Sequence, residues 1–318
     1  MLKRLIPDSF ILVLLAVIAA ASILPVRGSG LILFSHISNA AIFLLFFFHG
    51  LRLSPHAVWN GLRNWRLQAG VLTFVFIVMP LAGLLLSGVV PALLPPGLWL
   101  GILFLCALPS TVQAAISSAS MAGGNVAASV VAAALSNLAG VILTPLVVAA
   151  LAQAAGGTIG LSAITKTATL LLLPFALGQI ARTWLAVWAE RHRVWIGRMD
   201  RTTIVLAVYT AFSAAVADNL WGRLDAATFV RLLLAVTLLL AFAMAGAWGA
   251  GRFLGLGRED RISFLFSGSH KTLATGAPMA RILFPGPEAG LIIIPLMLYH
   301  QLQLIVSAWI AVRLKRSS

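Results

Sequence analysis

The chain has 318 residues, of which 61% are hydrophobic and only 9% are charged, whereas a typical soluble domain has about 25% charged residues. This composition excludes a soluble globular protein and predicts a single membrane domain over 1–318. The formal net charge of +14 does not indicate nucleic-acid binding, because the basic residues do not cluster with aromatic residues on one soluble face. Cys106 is the single cysteine, so neither a disulfide framework nor a CxxC site is predicted.

Apolar segments of about 20 residues, the length that crosses a bilayer, follow one another along the whole chain. The first comes directly after Lys3 and Arg4 and has no small-x-small cleavage site behind it, so we interpret it as a retained helix and not as a signal peptide. The ten predicted helices cover 8–26, 30–51, 67–89, 97–122, 125–151, 160–184, 200–219, 227–252, 260–284 and 289–313.

The basic residues are distributed unevenly between the connecting segments. Most of the 22 lysines and arginines fall at the termini and in the connections after the second, sixth and eighth helices. The other connections clearly contain only Arg27 and Arg223. The positive-inside rule therefore predicts that both termini are cytoplasmic. We expect the membrane to be the plasma membrane, specifically the inner membrane of a bacterium.

Two of the ten segments contain polar interruptions, "LPSTVQ" at 108–113 and "SGSHKTLATGAP" at 267–278. Each lies in the fourth helix of its half of the chain. Because five is an odd number, the second set of five helices must be inserted with the opposite orientation to the first. The pattern predicts an inverted repeat, with repeat one over about 8–151 and repeat two over about 160–313.

Backbone groups that a helix break frees cannot face lipid, so both interruptions mark the candidate site. We expect 109–113 to contact 269–276. Lys271 lies about ten residues into the ninth segment, roughly 15 Å along a helix, where a charge is costly. Two roles stay open for it: binding an anion, or donating hydrogen bonds to carbonyl oxygens at the break. The candidate residues from the two interruptions are Thr111, Gln113, His270, Lys271, Thr272 and Thr275.

Four stretches of the chain are distinctive: "FFFHGLRLSPHAVWNGLRNWRL" (46–67), "LPSTVQAAISSASMAGGNVAASVV" (108–131), "SNLAGVILTP" (136–145) and "GSHKTLATGAPMARILFPG" (268–286). Together they resemble the bile acid:sodium symporter superfamily, specifically its SBF-like branch, over nearly the whole chain. The resemblance implies an all-α polytopic membrane protein of ten helices in a 5+5 inverted repeat. It also implies that broken helices four and nine cross in a core domain packed against a panel domain.

The resemblance further implies a sodium site, which well-described members build beside the crossing from polar side chains, carbonyls and an acid on the ninth helix. It places Ser129 at a sodium-binding position. Whether a sodium ion binds near Gln113 and Ser129 stays open. The resemblance also places Ala133 where a hydroxyl is expected, and no Asp or Glu occurs within 261–287. We therefore hypothesise that Lys271 replaces the charge of the sodium ion.

The favoured function is a secondary active transporter of a small organic anion, coupled to sodium or protons. Helix N-termini at the breaks carry positive partial charge, and Lys271 adds a full one. The alternative is a membrane regulator or scaffold that keeps the transporter fold without coupled transport. An enzyme is not predicted, because HExxH and GxSxG are absent. The expected partners are the anion and the lipid bilayer, with no cofactor other than a sodium ion; substrate and oligomeric state stay open.

Overall fold

A computed structural model describes residues 9–52, 64–154, 161–219, 225–284 and 286–316, and within these ranges all the regular structure is helical. Lys3, Arg4 and Arg223, which entered the orientation argument, lie outside the described residues. The helices are α1 (Ser9–Ile23), α2 (Ser29–Arg52), α3 (Trp65–Val89), α4 (Pro96–Ala107), α5 (Gln113–Met121), α6 (Val126–Ala154), α7 (Leu161–Arg191), α8 (Arg193–Ala217), α9 (Ala226–Phe253), α10 (Arg258–Ser269), α11 (Leu273–Leu283) and α12 (Glu288–Arg316).

Among the described residues, six helices are long and apolar enough to cross a membrane, namely α2, α3, α6, α7, α9 and α12. Two shorter apolar helices lie within α1 and α4. The chain is therefore a multi-pass, all-helical membrane protein. The count of ten spans and their inverted repeat stay predictions.

The connection after the sixth predicted helix differs from the sequence-based expectation. The sequence predicts helices over 160–184 and 200–219 with an arginine-rich loop between them. Instead, α7 continues to Arg191 and α8 begins at Arg193, so that only His192 separates the two helices. The prediction ended the helix where hydropathy falls. A helix can continue past its apolar span, because long basic side chains bury their stems and keep their charged ends in water.

Both predicted interruptions are present, and both are shorter than the sequence suggested. The α4–α5 break comprises residues 108–112, and the α10–α11 break comprises residues 270–272. The flanking stretch "LATGAP" lies inside α11, including Pro278. Small polar residues alone did not end these helices.

The chain divides into two compact units. Unit 1 comprises Met1–Leu53, Ile159–Ala226 and Ala274–Ile294, and unit 2 comprises Ser54–Thr158, Ala227–Leu273 and Pro295–Ser318. Unit 1 therefore contains α1, α2, α7, α8, nearly all of α11 and the beginning of α12. Unit 2 contains α3 to α6, α9, α10 and the remainder of α12.

Within unit 1, α2 and α7 pack closely through glycines. A methyl group at Gly178 would overlap the carbonyl oxygen of Phe47, and Gly50 is equally tight against α7. The same contact is hydrogen-bonded, since Gln179 Nε2 donates to the Gly50 carbonyl at 2.6 Å and Arg182 Nη1 donates to the next carbonyl of α2 at 2.8 Å. Small residues let the backbones of membrane helices approach this closely.

Within unit 2, the turn between α5 and α6 is tied to the first turn of α10. Gly123 has φ +76°, which glycine adopts without strain and which permits the tight turn that the sequence predicts at 123–125. Asp260 accepts hydrogen bonds from Asn125 Nδ2 at 2.8 Å and from Asn64 Nδ2 at 2.7 Å. Ser263 Oγ donates to the Asn125 carbonyl at 2.8 Å. These bonds connect the end of α5, which follows the first break, to α10, which precedes the second.

Candidate functional site

The carbonyl oxygens at the end of α4 and in the α4–α5 break have hydrogen-bond donors from other parts of unit 2. A helix end leaves such carbonyls without intrahelical partners, and burying them unpaired would be costly. The pairs are Lys271 Nζ with the carbonyls of Cys106 (2.7 Å) and Leu108 (2.7 Å), Thr144 Oγ1 with Ala107 (2.9 Å), the backbone N–H of Thr272 with Pro109 (3.1 Å), and Asn137 Nδ2 with Ser110 (2.8 Å). The expected contact between the two breaks is thus observed.

Lys271 is fully buried, with 0% of its surface exposed. Besides its two bonds to the end of α4, Nζ donates to the Val75 carbonyl on α3 at 3.3 Å. All three partners are carbonyl oxygens, which only accept, so they match the three hydrogens of an ammonium group. In this arrangement every N–H of Lys271 is used. The hydrogen bonds to carbonyls at the break, which the sequence left open as one of two roles for Lys271, are present; anion binding by Lys271 stays untested.

The Val75 carbonyl is available because α3 contains a π-helical turn over Phe74–Val78. In this turn, the N–H of Met79 donates to the Phe74 carbonyl instead of to Val75, which would be its partner in an α-helix. The next residue, Pro80, has no N–H to offer. The carbonyl of Val75 is thereby released toward Lys271, which agrees with the frequent occurrence of single π turns at functional sites.

The backbone of the α10–α11 break is held by side chains of α12. The Gln303 amide spans Lys271, since Oε1 accepts from the lysine N–H at 2.8 Å and Nε2 donates to the lysine carbonyl at 3.0 Å. One turn earlier, Tyr299 OH donates to the Ser269 carbonyl at 2.7 Å. These bonds replace the helical ones that the break removes.

His270 is fully buried, and both of its ring nitrogens have partners. Nδ1 lies 2.5 Å from the Phe266 carbonyl, and Nε2 lies 3.0 Å from Ser307 Oγ. Because a carbonyl only accepts, Nδ1 donates, and Nε2 of a neutral ring then accepts from the serine hydroxyl. The geometry gives His270 a role in packing α10 against α12.

The remaining predicted site residues have different environments. Thr111 and Ser129 are buried, and Gln113 is exposed at the first position of α5. Thr272 is buried in unit 2, where its N–H joins the breaks. Thr275 is buried but belongs to unit 1. The structure therefore brings Lys271 and Thr272 to the end of α4.

A sodium ion requires oxygen ligands, and the structure provides few of those that the resemblance implies. Ser129 Oγ donates to the Asn125 carbonyl of its own helix at 3.2 Å and keeps lone pairs that can bind a cation, but Ala133 has no side-chain oxygen. The carbonyls that could replace them at the end of α4 are bound by Lys271. Among the described residues, no group of three or more His, Cys, Asp or Glu side chains could hold a metal.

Several side chains that support the breaks were not predicted. They share one signal, which is a polar residue repeated at helical spacing on a mainly apolar helix. On α6 this spacing is seven residues, from Asn137 to Thr144, and on α12 it is four, from Tyr299 through Gln303 to Ser307. Residues so spaced lie on one face of a helix.

The matching family and the related proteins of other organisms agree on what the chain is similar to. The SBF-like CPA transporter family matches residues 8–316. An uncharacterized protein of Pseudomonas aeruginosa is 44% identical over 314 residues, which cover 98% of this chain and 94% of the relative. YfeH of Escherichia coli strain K12, which its name describes provisionally as a symporter, is 41% identical over 311 residues, which cover 98% and 94%. Sodium/bile acid cotransporter 7-A of Xenopus laevis is 27% identical over 318 residues, which cover 97% and 92%.

Proposed function

The chain belongs to the SBF-like CPA transporter family, and from this premise we propose that it is a secondary active transporter of a small organic anion. The observation that carries the proposal is the pair of helix breaks that contact each other in unit 2, with Thr272 bound to Pro109 across them. Discontinuous helices in contact are the arrangement around which many secondary transporters alternate access. The names of the relatives, a symporter and sodium/bile acid cotransporters, support the same class.

The test is uptake by purified protein in liposomes. A thermal-shift screen of small carboxylates first selects compounds that stabilise the protein in detergent. Uptake of a radiolabelled form of a stabilising compound should be saturable, and unlabelled compound inside the liposomes should accelerate it. Protein that is folded and binds an anion, but exchanges none across the membrane, would favour the alternative of a regulator or scaffold. That alternative is supported by the absence of any acidic residue within 261–287.

We propose ten spans in an inverted repeat, in which α4 with α5 and α10 with α11 are the fourth and ninth, and in which both termini are cytoplasmic. The arginines around His192 support this orientation. Cys106 is fully buried and should give little background labelling. A His192→Cys variant should react with an impermeant maleimide only after cells are opened, whereas Arg27→Cys should react in intact cells. The reverse pattern would contradict the orientation.

We further propose that Lys271 supplies the positive charge that a sodium ion supplies in related proteins, and that protons replace sodium as the coupling ion. Its ammonium group is surrounded by carbonyl oxygens, as a bound cation would be. Uptake should persist when sodium is replaced by potassium on both sides and should respond to a pH gradient. A strict requirement for sodium in the wild type would rule out this replacement.

A further inference from the structure

A second cationic side chain, Arg281, lies at a cavity whose lining residues all belong to unit 1. Arg281, in the last turn of α11, lines a cavity of about 210 Å³ together with residues of α2, α7 and α8. The polar members of the lining are Ser35 and Asn39, and the apolar members include Leu31, Leu170 and Ala214. Ligand pockets for drug-sized molecules have volumes of about 300–1,000 Å³. The smaller cavity suits a smaller ligand.

The guanidinium of Arg281 is only partly paired by the protein. Nε donates to Ser38 Oγ at 3.3 Å. Among the described residues, no acceptor contacts the terminal nitrogens of Arg281, and the ion pairs seen are Arg52–Asp200 and Arg193–Glu190. An arginine near a helix C-terminus is favoured by the helix dipole alone. The dipole does not explain why its unpaired donors border a cavity.

The lining combines one cationic fork with apolar walls. A guanidinium presents parallel N–H groups that match the two oxygens of a carboxylate. The exposed amide of Asn39 provides one further donor. Ser35 contributes no donor, because its hydroxyl already donates to the Leu31 carbonyl at 2.7 Å. These groups complement a carboxylate joined to a short apolar body.

We propose that this cavity binds a small organic carboxylate through Arg281. The proposal rests on the proposed function, because it locates the charge of the transported anion. The anion's negative charge then lies beside a residue of unit 1. Lys271, whose three N–H groups are bound to carbonyls, serves as a positive charge inside unit 2 and does not bind the anion. Arg281 is therefore the residue that recognises the substrate.

Propionate and succinate are the probes, and chloride of equal ionic strength is the reference. In detergent, both carboxylates should raise the unfolding temperature of the wild type saturably. Arg281→Gln should raise the half-saturating concentration at least about tenfold, which corresponds to about 1.4 kcal/mol. The matched control is Arg27→Gln, which removes the same charge from an exposed position of unit 1 and should leave the midpoint unchanged. Arg281→Lys should fall between the wild type and Arg281→Gln.

Ser35→Leu provides an independent test if Arg281→Gln does not fold. It reduces the cavity while the arginine stays in place, so it should also weaken binding at least about tenfold. An unchanged midpoint in Arg281→Gln and in Ser35→Leu, or no saturable shift in the wild type, would overturn the proposal.

Two further measurements separate the site from the function and from a lipid ligand. Arg281-dependent binding without uptake in liposomes would refute transport and leave the site intact. Uptake that Arg281→Gln does not alter would refute the site and leave transport intact. Micelles containing phosphatidylglycerol test a lipid phosphate as the source of the anion. If only this lipid stabilises the protein through Arg281, then the cavity holds a headgroup and the proposal of a soluble carboxylate is wrong.

Discussion

Replacing Lys271 by methionine should destabilise the protein, because the change removes the donor that three buried carbonyls share. Methionine has a similar length and fills the space, but it has neither charge nor N–H groups. The carbonyls of Cys106, Leu108 and Val75 would be left without the bonds of 2.7, 2.7 and 3.3 Å that they now receive. Thr144 and Asn137 bond to neighbouring carbonyls and cannot take over these positions without losing their own partners.

The magnitude follows from two opposing contributions. Each buried polar group left unsatisfied costs about 1–3 kcal/mol, so three of them cost about 3–9 kcal/mol. Removing a buried ammonium returns several kcal/mol of desolvation free energy. We expect a net loss of about 2–4 kcal/mol in the free energy of unfolding. At about 2–4 °C per kcal/mol, this lowers the unfolding temperature by about 4–16 °C.

The assay is thermal unfolding of the purified protein in detergent, followed by the fluorescence of its nine tryptophans. Lys315→Met is the matched control, since it makes the same chemical change at an exposed position near the end of α12 and should shift the unfolding temperature by less than about 2 °C. Lys271→Ala leaves room for an ion among the carbonyls, and sodium should stabilise this variant more than choline does. A Lys271→Met protein that unfolds within about 2 °C of the wild type, or above it, would refute the reasoning.

Three other substitutions test the packing and the support of the breaks, all by unfolding temperature in detergent. Gly178→Ala should lower the free energy of unfolding by more than about 3 kcal/mol because its methyl group has no space against α2. Gly197→Ala, the control, has open space around it and should be neutral or stabilising by up to about 1 kcal/mol. Equal effects of the two variants would contradict the close α2–α7 contact. Thr144→Val should cost about 1–2 kcal/mol through the lost bond to the last carbonyl of α4, and an unchanged unfolding temperature would mean that this carbonyl finds another donor. Gln303→Leu should lower the free energy of unfolding by about 2–4 kcal/mol, because both hydrogen bonds of its amide to the backbone of Lys271 are lost. The same loss should speed amide hydrogen exchange at 270–272, and unchanged exchange there would argue against the bridging role.

The sequence by itself determined the membrane class, the all-helical fold and the presence of both breaks. These properties are local, because the hydropathy of a segment and its polar interruption are read within about 20 neighbouring residues. Lys271 stands out for the same reason, as a charge inside an apolar segment. The sequence extended the second break too far, because small residues such as those of "LATGAP" are compatible with a helix when neighbouring helices pack against them.

Only the tertiary structure decided which atoms surround the charge of Lys271. Its carbonyl partners lie 163 to 196 positions away in the sequence, and one of them is released by a π turn that no local pattern announced. The cavity at Arg281 likewise requires four helices to meet around one side chain. A hydrogen bond needs its two atoms within about 3 Å and aligned, and packing alone brings together atoms so distant along the chain. The fold therefore buries the positive charge of Lys271 among carbonyl oxygens and places the hydrogen-bond donors of Arg281 at a cavity.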